Sequence, residues 1–166
     1  TSSTGVIMKF DRATDSLQLV PGTLFSPAVA PDGVPWGLLS DGTVVRCPTA
    51  SCQRFGRTAR SIAVGPDASV FIVTLDGVLQ KLRPTLDDWD IIPVPSGYSG
   101  LSLGPDGTVL MFYMNTQLIR YDNNKKTFVD VTGFPSGNIR HAKYGPDGKL
   151  WIISGDVDGI RAPMLA

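Results

Sequence analysis

One recurring segment constrains this chain more than anything else in it. Residues 61–83, SIAVGPDASVFIVTLDGVLQKLR, reappear in recognisable versions four times within the 166 residues. The copies turn at Pro31-Asp32-Gly33, Pro66-Asp67-Ala68, Pro105-Asp106-Gly107 and Pro146-Asp147-Gly148. Three residues past each turn stand Trp36, Phe71, Leu110 and Trp151, all large and apolar. Further on, at the same offsets in the first three copies, come Asp41-Gly42, Asp76-Gly77 and Asn115-Thr116, then the basic residues Arg46, Lys81 and Arg120. Proline fixes φ, Asp bonds its own backbone and Gly accepts positive φ, so both polar punctuations are turns between strands.

The prolines of the four turns, Pro31, Pro66, Pro105 and Pro146, are 35, 39 and 41 residues apart, within the spacing of propeller blades. Within the best-formed copy the strands are expected at 61–64, 70–75, 78–82 and 89–94. A run such as Val70-Phe71-Ile72-Val73, bounded by turns and too short for a helix, suits a strand covered on both faces. Each unit is then a four-stranded antiparallel meander.

The first 25 residues match the back half of such a unit. Residues 5–10, GVIMKF, align with 77–82, GVLQKL, placing Lys9 at the basic position, and 17–21 follow as a fourth strand. Residues 141–145 and 150–154 supply the missing front half. Pairing the terminal strands would remove both exposed edges. The expected fold is therefore all-β, a single domain over 1–166 forming a β-propeller of four blades closed by its N- and C-terminal strands. Asp158-Gly159-Ile160-Arg161 resembles the start of a further third strand, which would compete for the same place. That leaves a second expectation, a slice of a longer repeat array; the closed ring would be a monomer, the slice a homo-oligomer.

Composition agrees with short strands and excludes several function classes. All fifteen acidic residues are Asp, and they accompany 18 Gly and 13 Pro, a set that favours turns over helices. A chain of this length buries roughly 70% of its unfolded surface, enough for a core without metal. Fifteen basic residues balance the fifteen acidic ones, removing the electrostatic attraction that nucleic acid or an anionic membrane requires. No apolar run approaches the roughly 20 residues of a membrane span, and TSSTGVIMKFDR lacks the pattern of a signal peptide. Neither nucleic-acid binding nor membrane insertion is expected.

The units resemble the tectonin-type propeller repeat, in which a Trp-containing outer strand leads through a Gly-rich stretch into VGPDG-x-V-W. Residues 89–121, WDIIPVPSGYSGLSLGPDGTVLMFYMNTQLIRY, and residues 55–82 carry the likeness. Of the outer-strand tryptophans only Trp89 is present; Leu17 or Leu19, Phe55 and Phe128 stand in the corresponding places. Streptogramin-lyase-like and NHL-type propellers share GPDG-x-L-W, as in residues 145–151. The tectonin resemblance implies a non-enzymatic binding module, a lectin-like propeller recognising glycans or a surface ligand, or alternatively a protein–protein scaffold. The lyase-like resemblance implies a metal, His and Glu, and with one His and no Glu that set does not map onto this chain.

Candidate site residues follow from position in the repeat. The turns between second and third strands, with the connections between blades, form one face on which propeller ligands commonly sit. That face would present Asp41, Asp76, Asn115 and Asp158, and from the connections Arg57, Arg60, Tyr98, Asn138 and Arg140. Asp and Asn suit sugar hydroxyls, and Tyr98 would cover the apolar face of a pyranose. His141, the lone histidine, is expected to line or cap the central channel, since one imidazole builds neither a metal site nor, without a nucleophile motif, a triad. Asp156 and Asp158, and the triplet Asp87, Asp88 and Asp90, are expected as turn and solvated-loop residues, too few for calcium. Asp32, Asp67, Asp106 and Asp147 obey the repeat and are turn chemistry. The basic series Lys9, Arg46, Lys81 and Arg120 should point to solvent or pair with a turn Asp, and Trp36, Phe71 and Trp151 should pack between blades.

No cofactor or metal is expected. Cys47 and Cys52, on the arms of one hairpin, leave two states open: a local disulfide, implying an oxidising, extracellular compartment, or two reduced thiols, implying the cytoplasm.

Overall fold

The computed structural model describes residues 6–49, 51–83, 88–94, 97–98, 100–112, 117–122, 125, 127–131, 139–145 and 147–154. Among these every regular element is a strand. An N-terminal hairpin of β1 (Val6–Asp11) and β2 (Ser16–Thr23) stands first. Next come β3 (Phe25–Val29), β4 (Pro35–Leu38), β5 (Thr43–Arg46) and a long β6 (Gln53–Val64), followed by β7 (Val70–Thr74), β8 (Leu79–Arg83) and β9 (Asp88–Ile92). A separate meander contains β10 (Gly100–Leu103), β11 (Val109–Phe112), β12 (Leu118–Asp122) and β13 (Thr127–Asp130). The hairpin of β14 (Ile139–Tyr144) and β15 (Leu150–Ser154) comes last.

Every pairing is antiparallel between consecutive strands, as the repeat requires. The expected strand at 61–64 proves to be the end of something longer. Residues 53–58 of β6 pair with β5 as the fourth strand of one blade, and residues 59–64 pair with β7 as the first strand of the next. The two blades thus share one strand in a seven-stranded sheet. The crossover is eased by Gly56 at φ 57° and by a register shift at Arg60, just past the step from Thr58 to Ala59 where the strand changes partners.

The turns repeat in atomic detail. Asp32, Asp67, Asp106 and Asp147 each accept a hydrogen bond from the backbone N–H two residues on, at 2.9, 3.0, 2.9 and 3.1 Å. These bonds hold the four carboxyls below their ordinary range; at Asp67 the Ser69 side chain contributes most, at the other three the backbone N–H. Arg46 completes the first copy with a 2.7 Å ion pair to Asp32. Lys81 lies 5.3 Å from the centre of the Phe71 ring, and Arg120 is exposed. The third turn residue is left-handed in all four copies, at φ 78°, 62°, 79° and 77°, and only Ala68 carries a side chain there. Ala68→Gly is therefore expected to raise stability by up to about 1 kcal/mol, read as a higher urea midpoint. An unchanged or lower midpoint would contradict it.

Apolar side chains fill the spaces between successive blades. Leu24, Val45 and Cys47 pack with Ile7 between the N-terminal hairpin and the next blade. Trp36, Val44, Ile62 and Ile72 fill the following space, Phe71, Val73, Leu101 and Met111 the one after, and Leu110, Phe112, Ile139 and Ala142 the last. In the first three copies the residue three past the turn is thus covered by the blade that follows. Trp36 is 5% exposed, but Trp151, expected to pack in the same way, is 62% exposed because no described blade lies beyond it. Among the described residues β1 pairs with β2 and β15 with β14, and no sheet is closed by a pairing of the terminal strands. Met8, Phe10, Leu17, Leu19 and Ile153 on these two hairpins are exposed as well.

Cys47 and Cys52 are joined by a disulfide, which is compatible with an oxidising setting. The bridge spans a sequence separation of 5, just past the end of β5, with Cys47 buried beside Leu24 and Val45. A loop this short loses little entropy on closure, so reduction is expected to cost about 2 kcal/mol. Comparing denaturant midpoints with and without a reductant measures it; no difference would show that the bridge constrains nothing.

Candidate functional site

An open cleft of about 680 Å³ lies where β6 passes from one blade to the next. Thr43, Arg54, Gly56, Arg57 and Thr58 form one wall, Thr74, Leu75 and Asp76 the other, and Gln80 lines it as well. The local folding explains the arrangement. The β7–β8 turn brings Asp76 to the rim, and the register pairs Thr43 with Thr58 across β5 and β6. The left-handed Gly56 separates Arg54 from Arg57 along the crossover.

The rim is polar and already partly engaged. Asp76 accepts a 2.5 Å hydrogen bond from the Thr74 hydroxyl, which is the main reason its carboxyl sits below the ordinary range. Asp41, in the preceding turn, accepts from the Thr43 N–H at 2.9 Å and faces Arg54 at 4.0 Å. The Thr43 backbone bond is the largest cause of its lowered carboxyl. Arg60 donates to the carbonyl of Leu75, bracing the wall that carries Asp76. Arg57 is exposed and makes no ion pair among the described residues.

The residues expected at this face divide. Asp76 lines the cleft, Asp41 and Arg60 contact its walls, and Arg140 is exposed on β14, away from it. Asn115, Asn138 and Asp158 lie outside the described residues, as do Asp87 and Asp156. Tyr98, expected to stack on a sugar, is instead 3% exposed and packed against Leu79, Leu101 and Met111. Its ring joins the core between blades, and burial, followed by the nearby Asp130, pushes its hydroxyl's pKa up. Asp88 and Asp90 are not loop residues: they lie on β9 and hold Arg83 at 2.5 and 3.2 Å. His141 is exposed on β14.

Gln80 was not among the residues expected at the site. Its side chain shares a face of the sheet with its cross-strand partner Ile72, is 9% exposed, and leaves its Oε1 buried without a hydrogen-bond partner among the described residues. A visible signal pointed to it. The register equates Gln80 with Val45 and Ile119, each one residue before the basic position, so the repeat is apolar there and Gln80 breaks it.

The fold is that of β-propeller blades, and comparison with solved structures agrees. Virginiamycin B lyase from Staphylococcus aureus matches 91% of this chain with 57% of its own, at 13% identity and a TM-score of 0.65. The Swd1 (Cps50) β-propeller domain of Myceliophteria thermophila matches 91% with 56% of its own, at 12% identity and a TM-score of 0.66. Hydrazine synthase of Kuenenia stuttgartiensis matches 85% with 45% of its own, at 22% identity and a TM-score of 0.61. The chain thus spans about half the length of these structures. No family model and no curated protein matches it.

Proposed function

We propose that this chain is a non-enzymatic binding module, lectin-like, that recognises glycans through the face carrying the cleft. The observation that carries the reading is the lining of the cleft: guanidinium, hydroxyl, amide and carboxylate groups, with neither histidine nor cysteine. Such a set orients a hydroxylated ligand through several hydrogen bonds at once. Repeated blades would offer several similar sites, individually weak and strengthened when ligands are clustered. The Cys47–Cys52 disulfide supports an extracellular setting.

The experiment is a glycan array probed with residues 1–166, followed by titration of each hit. Saturable saccharide binding that weakens on Asp76→Ala is expected. Absence of any saccharide binding, together with saturable binding to a protein, would replace this reading with an interaction scaffold. Turnover of a glycan or ester substrate that is lost in His141→Ala would replace it with an enzyme.

The four-bladed ring belongs to the same proposal. Its support is that the two terminal hairpins are complementary, one supplying the back and the other the front half of a blade. Light scattering at the 17.8 kDa of the chain is expected for a closed monomer. A mass at a multiple of that value would place the joining of half-blades between copies.

A further inference from the structure

We infer that the cleft beside Gln80 takes an acidic sugar, a hydroxylated carboxylate such as a uronate unit; the inference rests on the glycan reading above and narrows it. The first ground is Gln80 itself. An amide oxygen buried without a partner loses its hydrogen bond to water and gains nothing in return, a cost that a donor from a ligand removes. At the same position the neighbouring blades place Val45 and Ile119, so the strand does not need a polar residue there for its own packing. A residue that departs from the repeat, is nine-tenths buried and lines a cleft marks where a ligand hydroxyl can donate.

The second ground is the charge around it. Three guanidiniums, from Arg54, Arg57 and Arg60, face two carboxylates, Asp41 and Asp76. Both carboxylates are already engaged, Asp41 by Thr43 and Arg54, and Asp76 by Thr74 with Arg60 nearby. Arg60 is held on the Leu75 carbonyl. Arg57, on the cleft wall, also feels the charge of Asp88, which is itself paired with Arg83, but makes no ion pair among the described residues, and its planar fork suits a carboxylate bound in two-point fashion. Neutral saccharides satisfy Gln80 alone; a simple anion satisfies Arg57 alone. A sugar acid satisfies both, with Thr58 lining the same wall beside its remaining hydroxyls.

The test is calorimetric titration of residues 1–166 with oligogalacturonate, with its methyl ester, and with a neutral oligosaccharide of the same length. The acid is expected to bind about tenfold or more tightly than the ester, and Arg57→Ala to abolish that difference. Gln80→Leu, which copies the apolar side chain of the other blades, is expected to weaken the acid about tenfold while leaving the thermal midpoint unchanged or higher. Equal binding of acid and ester, or full binding by Gln80→Leu, would overturn the inference; the latter would mean that water alone serves the amide. Binding of neutral sugars in preference to acidic ones would overturn the acidic assignment and leave the glycan reading standing. Absence of binding by all three would overturn the acidic assignment, and the array then decides the glycan reading.

Discussion

Trp36→Ala is expected to destabilise the chain by about 3–5 kcal/mol, read from chemical denaturation. The indole is buried between two blades, with its ring centre 4.7 Å from that of Phe55 and with Val44, Ile62 and Ile72 in the same cluster. Deleting it leaves a cavity in contact with both blades, and the shared strand β6 restricts how far they can close over it. A cost below about 1 kcal/mol would mean that the blades do not depend on this contact. Trp151 provides the internal comparison, since it occupies the same place in the repeat. With its ring in water, as the structure has it, Trp151→Ala changes stability by no more than about 0.5 kcal/mol. A cost approaching that of Trp36 would be the mark of a closed ring in solution.

The second large effect is expected at Gly100, which lies directly opposite Phe112 in the β10–β11 pair. A Cβ built there would stand 2.0 Å from the Phe112 ring, which leans across the glycine into the cluster of Leu110, Leu118 and Ile139. Gly100→Ala must push that ring out of a packed core, at about 1–3 kcal/mol. Adding Phe112→Leu to Gly100→Ala is expected to recover part of the loss, because the smaller side chain vacates the contested space. Non-interacting substitutions would add instead, and additivity would show that the two residues do not compete.

Much of the architecture was legible because the turns are local chemistry. Asp67 bonds the N–H of Ser69 whatever the rest of the chain does, so Pro-Asp-Gly located four strand pairs from sequence alone. Strand bounds moved by a residue or two. The larger departure, β6, was hidden because residues 53–60 contain neither Pro nor a strong turn pair, and periodicity does not show where a strand exchanges partners. Exposure at the ends was illegible for a different reason. Trp36 and Trp151 have the same local sequence context, and their burial is decided by whether another blade follows. Asp76 lines the cleft because loops carry the polar groups of this face, whereas the loop position of Tyr98 does not reveal the core into which its ring turns. Gln80 was legible in principle, from one polar residue in an apolar column.

The sharing of β6 bears on how the molecule opens. Repeats joined by loops can detach one at a time, each breaking mainly its own contacts and its interface with a neighbour. Here the fourth strand of one blade continues as the first strand of the next, and the cluster holding Trp36 and Ile72 lies over that junction. Fraying β6 at either end withdraws hydrogen bonds from one sheet and loosens the anchorage of the other. The amides of β4, β5, β7 and β8 therefore exchange with solvent deuterium in one cooperative event, while those of the terminal hairpins, joined to the rest by fewer contacts, exchange first and on their own. The cleft sits on the joint of that cooperative unit, so a ligand bridging Arg57 and Gln80 would slow exchange across both blades at once.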